Sequence, residues 1–115
     1  MNLNEKVAHI YTEKLTSKHK AKLKSLAHAL KPVVQLGEGG FSENVIKEIK
    51  LSLEKHELIK VQLGGGSSAN EKEEALQTFE TFLPEHAHMV SRIGRTVILH
   101  LEKTPKKAKI LLKDL

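Results

Sequence analysis

The residue types that most often perform catalysis are absent from this chain or are poorly placed for it. None of its 115 residues is a cysteine, which excludes a thiolate nucleophile and a disulfide framework and fits a reducing, cytoplasmic location. Asp114 is the only aspartate, so paired-aspartate magnesium sites and triads with an internal aspartate are excluded as well. We therefore expect no catalytic residues and a protein that is not an enzyme.

Two further patterns resemble ligand sites but lack the partners that such sites require. His86 and His88 lie beside Glu85, yet two imidazoles without a third ligand are more typical of a polar turn than of a metal site. The segment 64–69 matches G-x-G-x-x-A, the dinucleotide fingerprint, but no second βαβ half accompanies it. We expect a flexible loop there, and neither a metal nor a cofactor in the protein.

A G-x-x-G sequence between an apolar run and a helix has the strongest potential for binding. It consists of Gly37, Glu38, Gly39 and Gly40. Glycines at such a junction either make a turn or leave room for the close approach of a ligand backbone. In the second case the amides near Phe41 and Ser42, at the start of the helix, would face a phosphate. KH-type modules clamp nucleic-acid backbone with a loop of this kind.

The distribution of charge favours a polyanionic partner. Lysine and arginine outnumber aspartate and glutamate by 19 to 14, which gives a net charge of +5. The stretch 14–31 has six lysines and no acid, whereas 71–85 has five glutamates against one lysine. The cations expected to contact phosphate are Lys18, Lys22, Lys24 and Lys31, with Arg92 and Arg95 as secondary candidates. The alternatives are that these lysines form an ordinary solvated helix face, and that the acidic stretch docks a basic protein.

The elements that position these motifs follow from hydrophobic periodicity and from the placement of glycine and proline. The predicted helices are 17–30, 42–57 and 70–83, and the predicted strands are 32–36, 58–63, 88–93 and 96–101. The first helix is expected to bury one apolar stripe, formed by Leu23, Leu26, Ala27 and Leu30. A two-residue turn at Gly94 and Arg95 joins the last two strands. This order predicts a single α/β domain with a mixed four-stranded sheet.

The stretch from Leu23 to Gly40 (LKSLAHALKPVVQLGEGG) resembles the opening of the CRM domain. This domain is the RNA-binding module of the YhbY family of bacterial proteins and of plant organelle splicing factors. The resemblance continues at Val45, at 56–61 (HELIKV) and at 93–99 (IGRTVIL), always in the family's order and spacing. The chain is therefore similar to a CRM domain over most of its length.

The resemblance implies a fold similar to the C-terminal domain of bacterial translation initiation factor three, together with RNA binding and no catalysis. For bacterial single-domain members it implies association with the maturing large ribosomal subunit, so the expected partner is ribosomal RNA. The chain departs from the family's pattern at Glu38-Gly39, where a polar or basic pair is usual. It also departs at His100-Leu101, where Tyr-Arg is common, so that a basic contact and a stacking ring are lost at that edge.

The chain divides into an N-terminal extension at 1–16, a CRM-type domain at 17–101 and a basic C-terminal tail at 102–115. No apolar run approaches the roughly 18 residues of a membrane span. The first residues carry an acid and lead into no apolar stretch, so no signal peptide is expected. We expect a cytoplasmic monomer. With 3% aromatic residues, contacts with RNA backbone and shape should dominate over base stacking.

Overall fold

A computed structural model of the chain describes residues 15–36, 40–64, 69–104, 107–110 and 112. The helices in these residues are α1 (Ser17–Ala27), α2 (Glu43–His56) and α3 (Ala69–Phe82). The strands are β1 (Val34–Gln35), β2 (Leu58–Gln62), β3 (Ala87–Ile93) and β4 (Thr96–Leu101). The predicted order of elements is confirmed, and the predicted ends differ from the observed ones by at most three residues.

The strands form a four-stranded sheet in the order β1-β2-β4-β3. β1 runs parallel to β2, with Val34 opposite Val61, and the other two pairings are antiparallel. The mixed sheet predicted from the sequence is therefore confirmed. The predicted hairpin turn joins β3 to β4, and Gly94 adopts there a φ of +59°, which residues with a side chain rarely take.

Each face of the sheet is covered by its own apolar cluster, because successive residues of a strand point to opposite faces. Ile59 of β2 belongs to the larger cluster, together with Ile49 of α2 and Phe79 of α3. Its neighbour Leu58 belongs to the smaller cluster, together with Leu23 of α1. α1 therefore lies on one face of the sheet, and α2 and α3 lie on the other.

The first helix is shorter than predicted, and half of its predicted apolar stripe is wrong. α1 ends at Ala27, and only Leu23 and Ala27 of the stripe are buried. Leu26 is 49% exposed and Leu30 is 39% exposed. The helix stops early because the Lys60 side chain of β2 binds the carbonyls that follow it. Its Nζ donates to the oxygens of His28 and Leu30 at 3.2 Å and 3.0 Å.

Side-chain caps fix the starts of α1 and α2. Thr16 precedes α1, and its Oγ1 accepts a hydrogen bond from the backbone N–H of His19 at 3.1 Å. Ser42 precedes α2, and its Oγ accepts from the N–H of Val45 at 3.2 Å. Glu57 follows the last residue of α2 and has a φ of +64°.

The described part of the C-terminal segment packs against the domain. The buried carboxylate of Glu57 accepts the backbone N–H of Lys109 at 2.8 Å and that of Ile110 at 3.1 Å. Leu112 is buried in the cluster beneath α1, beside Leu15 from the other end of the described chain. Residues on both sides of 17–101 therefore contribute to the core. None of the helices in the described residues is both long and apolar enough to span a bilayer.

Candidate nucleic-acid interface

The two ends of the G-x-x-G loop are fixed by the fold. The backbone N–H of Leu36, just before the loop, donates to the oxygen of Gln62 at the end of β2 at 2.8 Å. At the other end, Ser42 caps α2. The interior residues Gly37, Glu38 and Gly39 lie outside the described residues, so their expected role in phosphate binding stays a prediction. The loop starts at one end of the sheet and leads directly into the N-terminus of α2.

Gly40, the last residue of the G-x-x-G loop, has a backbone conformation that favours glycine. Its φ of +61° lies in the left-handed region, which a glycine adopts without the steric cost that a side chain would bring. A Cβ built on it would have no neighbour within 4 Å among the described residues. The positive φ agrees with the turn explanation for this glycine, and the open space around it agrees with close approach of a ligand. Gly94 in the hairpin has the same combination of positive φ and open space.

Phe41 anchors the loop through its ring. The ring packs edge-on against Phe79 with centroids 5.0 Å apart, and it also contacts Phe82 at 5.5 Å. Both partners belong to α3, so the loop is tied to the helix layer on that face of the sheet. The side chain of Phe41 is thus a core residue, and its possible part in binding is limited to its backbone amide.

Both arginines lie in or next to the hairpin, at the same end of the sheet as the loop. Arg92 is in β3, Arg95 is in the turn, and both are exposed. The N–H of Leu63 donates to the oxygen of Arg95 at 2.7 Å, so the turn is held to the end of β2 as well. Leu36, just before the G-x-x-G loop, and the arginine-bearing hairpin therefore lie at the same end of the sheet, and each is hydrogen-bonded at the end of β2.

A row of four residues crosses the sheet at this end, and sequence reasoning did not find it. The row consists of Gln35, Gln62, Thr96 and Ile93, which are directly opposite one another on neighbouring strands. We call it the polar row. Its members alternate with residues of the larger cluster, so they point to the face that carries α1. The alternation of β2 could have suggested Gln62, but the pairing of four strands cannot be read from local patterns.

The lysines of α1 are exposed but do not form one patch. Lys18 and Lys22 are one helical turn apart on the solvent side. Lys24 is two positions after Lys22 and hence about 200° around the helix. Lys31 follows the helix and lines a groove of about 360 Å³ with exposed Leu26 and other apolar side chains. The structure therefore brings Lys18 and Lys22 together, whereas Lys24 and Lys31 lie apart from them.

The acidic residues of the third helix are exposed away from the lysines of α1. Glu73, Glu74 and Glu80 of α3 are exposed, while the apolar side chains of that helix pack into the larger cluster. Since α1 covers the opposite face of the sheet, these glutamates and the lysines of α1 are separated by the sheet. Glu43, in the first turn of α2, is an exposed acid close to the G-x-x-G loop.

The histidines near β3 and β4 form a buried pair. His88 and His100 stack with ring centroids 6.3 Å apart, and Nε2 of His88 lies 3.7 Å from Oε2 of Glu102. Burial lowers the pKa of His88, and burial followed by the charge of His88 lowers the pKa of His100 to about 4. The described residues contain no group of three metal-binding side chains. His100 and Leu101 are both buried, so their departure from the family's pattern changes the core and not an RNA contact.

Comparison with known proteins adds independent information. Residues 15–100 match the model of the CRS1 / YhbY (CRM) domain family. The chain belongs to the CRM family. This CRM domain is 37% identical over 94 residues to the Probable RNA-binding protein YqeI of Bacillus subtilis, covering 81% of this chain and 94% of the relative. It is 39% identical over 98 residues to an RNA-binding protein of Haemophilus influenzae, and the match covers 85% of this chain and 94% of that relative.

The similarity extends to an experimental structure. The solution structure of the hypothetical protein SAV1595 from Staphylococcus aureus shares 36% identity and a TM-score of 0.65 with this CRM domain. The match covers 82% of this chain and 95% of the other. The predicted α/β fold and the resemblance to the CRM domain are thus confirmed. Because CRM domains are binding modules without catalytic activity, the prediction that the protein is not an enzyme is confirmed too.

Proposed function

We propose that this CRM domain binds ribosomal RNA during assembly of the large ribosomal subunit. Relatives in Bacillus subtilis and Haemophilus influenzae carry the name of RNA-binding proteins, and the chain's net charge of +5 suits a polyanionic partner. The observation that carries the proposal is the position of two features, the start of the G-x-x-G loop and the exposed arginines of the hairpin. Both lie at one end of a sheet whose strands contain no acidic residue.

The proposed contacts divide into two types. The first type is neutralisation of phosphates by basic side chains, namely those of Lys18, Lys22, Lys24, Lys31, Arg92 and Arg95. The second type is close approach of the RNA backbone at the G-x-x-G loop, which consists of Gly37, Glu38, Gly39 and Gly40. The amides near Phe41 and Ser42 then face a phosphate at the start of α2. Contacts of both types go to phosphate, so they position the protein on folded RNA without reading its sequence.

The setting of this activity is proposed as well. The binding unit corresponds to residues 17–101, flanked by an N-terminal extension and a basic C-terminal segment that adds phosphate contacts. The protein acts as a monomer in the cytoplasm, without a membrane and without a cofactor. α1, which carries Lys18, Lys22 and Lys24, packs on the face of the sheet to which the polar row points.

Filter binding with labelled large-subunit ribosomal RNA tests the proposal. We expect retention of the RNA in the presence of excess transfer RNA, because transfer RNA is a folded competitor of the same charge type. Arg92→Gln combined with Arg95→Gln should weaken retention clearly. The matched control is Lys50→Gln combined with Lys55→Gln, which removes the same charge from exposed positions on α2. An equal loss of RNA retention in both double variants would mean that binding depends only on net charge, which would contradict a defined binding surface.

Cross-linking in growing cells, followed by sequencing of the recovered RNA, tests the identity of the target. We expect reads concentrated on the precursor of large-subunit ribosomal RNA. Reads spread over messenger and transfer RNA in proportion to their abundance would contradict the assembly role while leaving general RNA binding intact.

A second candidate function rests on the acidic helix. Glu73, Glu74 and Glu80 are exposed on α3, across the sheet from α1, and could dock a basic ribosomal protein. Binding of purified large-subunit proteins to the parent and to a variant with glutamine at these three positions tests this. A basic protein that binds the parent but not the variant would support docking, and equal binding by both would exclude it.

A further inference from the structure

We infer that the polar row is a binding site for the bases of single-stranded RNA, which rests on the proposed RNA-binding function. The row consists of Gln35, Gln62, Thr96 and Ile93, as defined above. It lies beside the G-x-x-G loop on one side and the hairpin on the other. A strand of RNA whose phosphates contact these two segments would therefore place its bases over the row.

The row is accessible because α1 ends before it. Lys60 lies two residues before Gln62 on β2, and its side chain binds the carbonyls that follow α1. Ile98, which is opposite Lys60 on β4, is buried beneath the helix. At the row itself Gln35 is exposed, Gln62 is half-buried, and Ile93 is 50% exposed. The row therefore presents polar side chains and one apolar side chain to solvent at this end of the sheet.

The polar groups of the row are available for hydrogen bonds. Among the described residues, no hydrogen-bond partner is found for the side chains of Gln35, Gln62 and Thr96. Each glutamine amide offers a donor and an acceptor side by side, and the Thr96 hydroxyl offers one of each. Neighbouring strands are about 4.8 Å apart, so the two amides stand close enough to contact one base or two successive bases.

The chemistry of the row selects unpaired bases. A base edge carries adjacent donors and acceptors, which match a glutamine amide, but base pairing in a duplex occupies the Watson–Crick edge. Ile93 offers an apolar surface for a base face, which suits a chain with only 3% aromatic residues. The strands contain no acidic residue, so the phosphates of the same nucleotides meet no repulsion from the sheet.

The test compares a single-stranded RNA with the same strand annealed to its complement, both labelled with fluorescein, by fluorescence anisotropy at one salt concentration. Gln35→Ala combined with Gln62→Ala should weaken binding of the single strand about thirtyfold, the size expected for two ordinary hydrogen bonds. Binding of the duplex should change by less than about twofold, since the variant removes no charge. Gln77→Ala is the matched control, because Gln77 is exposed on α3 across the sheet.

A second measurement avoids any effect of the substitutions on folding. In the parent protein, the side-chain amide NMR signals of Gln35 and Gln62 should shift when the single strand is added, and those of Gln77 should not. Unchanged signals, undiminished single-strand binding by the double variant, or an equal loss for both RNAs would overturn the inference while leaving the proposed function standing. A parent protein that binds neither RNA would overturn the proposed function itself.

Discussion

Lowering the pH from 7 to 4 is expected to destabilise the fold because His100 must accept a proton where the charge has no partner. Its side chain is 0% exposed, and neither ring nitrogen has a hydrogen-bond partner in the described residues. Burial, and then the charge of His88, lower its pKa from 6.5 to about 4. Of the other charged groups nearby, Glu57 opposes this shift and His19 adds to it.

The difference between the folded and the unfolded chain sets the size of the effect. Unfolded, His100 takes up its proton near the ordinary pKa of 6.5, whereas in the folded protein it does so only near 4. Between these values the unfolded state binds more protons, so the free energy of unfolding falls as the pH falls. At about 1.4 kcal/mol for each tenfold change in proton affinity, the full loss is about 3 kcal/mol. A typical domain is stabilised by only about 5–15 kcal/mol, so this loss is large.

Urea unfolding of the parent protein and of His100→Leu at closely spaced pH values between 7 and 4 measures this effect. Leucine fills a similar volume without a titratable group, so the variant should lose about 3 kcal/mol less than the parent over this range. His56→Gln is the control, because His56 is exposed at the end of α2, and its curve should follow that of the parent. Parallel curves for the parent and His100→Leu would refute the reasoning.

Three further predictions concern the loop and the lysines. Substitution of glutamine for Lys18, Lys22 and Lys24 should reduce the slope of log K for RNA binding against log salt concentration by about two to three. If RNA binding by the parent protein does not depend on salt, this electrostatic account is contradicted. The control pair, which should leave the slope unchanged, is Lys50 and Lys55, both exposed on α2. Glu38→Lys should tighten binding at low salt because repulsion of phosphate becomes attraction, and an unchanged affinity would place Glu38 outside the interface. Gly40→Ala and Gly94→Ala should each lower the free energy of unfolding by about 1 kcal/mol because of their positive φ. RNA affinity of the folded fraction should also fall for Gly40→Ala, whereas full affinity would reduce the loop to a connector.

Local patterns were sufficient to predict the order of the elements. On β2, Ile59, Val61 and Leu63 alternate with Lys60 and Gln62, and burial follows that alternation. Glycine marked the hairpin turn, and the side-chain caps of α1 and α2 are equally local. These features depend on residues within one or two turns of each other, which is why they can be read from the chain alone.

Contacts between distant residues explain what the sequence did not reveal. The end of α1 is set by Lys60, which lies 30 residues from Leu30 and 32 from His28. The docking of the C-terminal segment depends on Glu57, whose partner Lys109 is 52 residues away. In a list of sequence motifs Lys60 is only a polar residue of a strand and Glu57 only a helix end. Their roles arise from the packing of α1 and of the C-terminal segment against the sheet.

The candidate site was predicted in its parts but not in its arrangement. The G-x-x-G motif and both arginines were found from residue types, and the strand pairing brings them to one end of the sheet. The polar row escaped prediction because it depends on the register of four strands, and glutamine and threonine alone carry no distinctive pattern. The lysines of α1 illustrate the reverse case. They were grouped as phosphate contacts because all are basic, whereas the helix turns Lys24 away from Lys18 and Lys22.

β2 has a particular role in holding the proposed binding surface together. The Lys60 side chain donates to a carbonyl that follows α1, and the Lys60 backbone oxygen accepts the N–H of Val33. The Gln62 oxygen accepts the N–H of Leu36, just before the G-x-x-G loop. Leu63, directly after the strand, holds the hairpin through the oxygen of Arg95. The helix end, the loop and the hairpin are therefore positioned relative to one central strand. Their relative positions depend on backbone hydrogen bonds within the sheet, so side chains that face RNA can vary without displacing the segments that carry them.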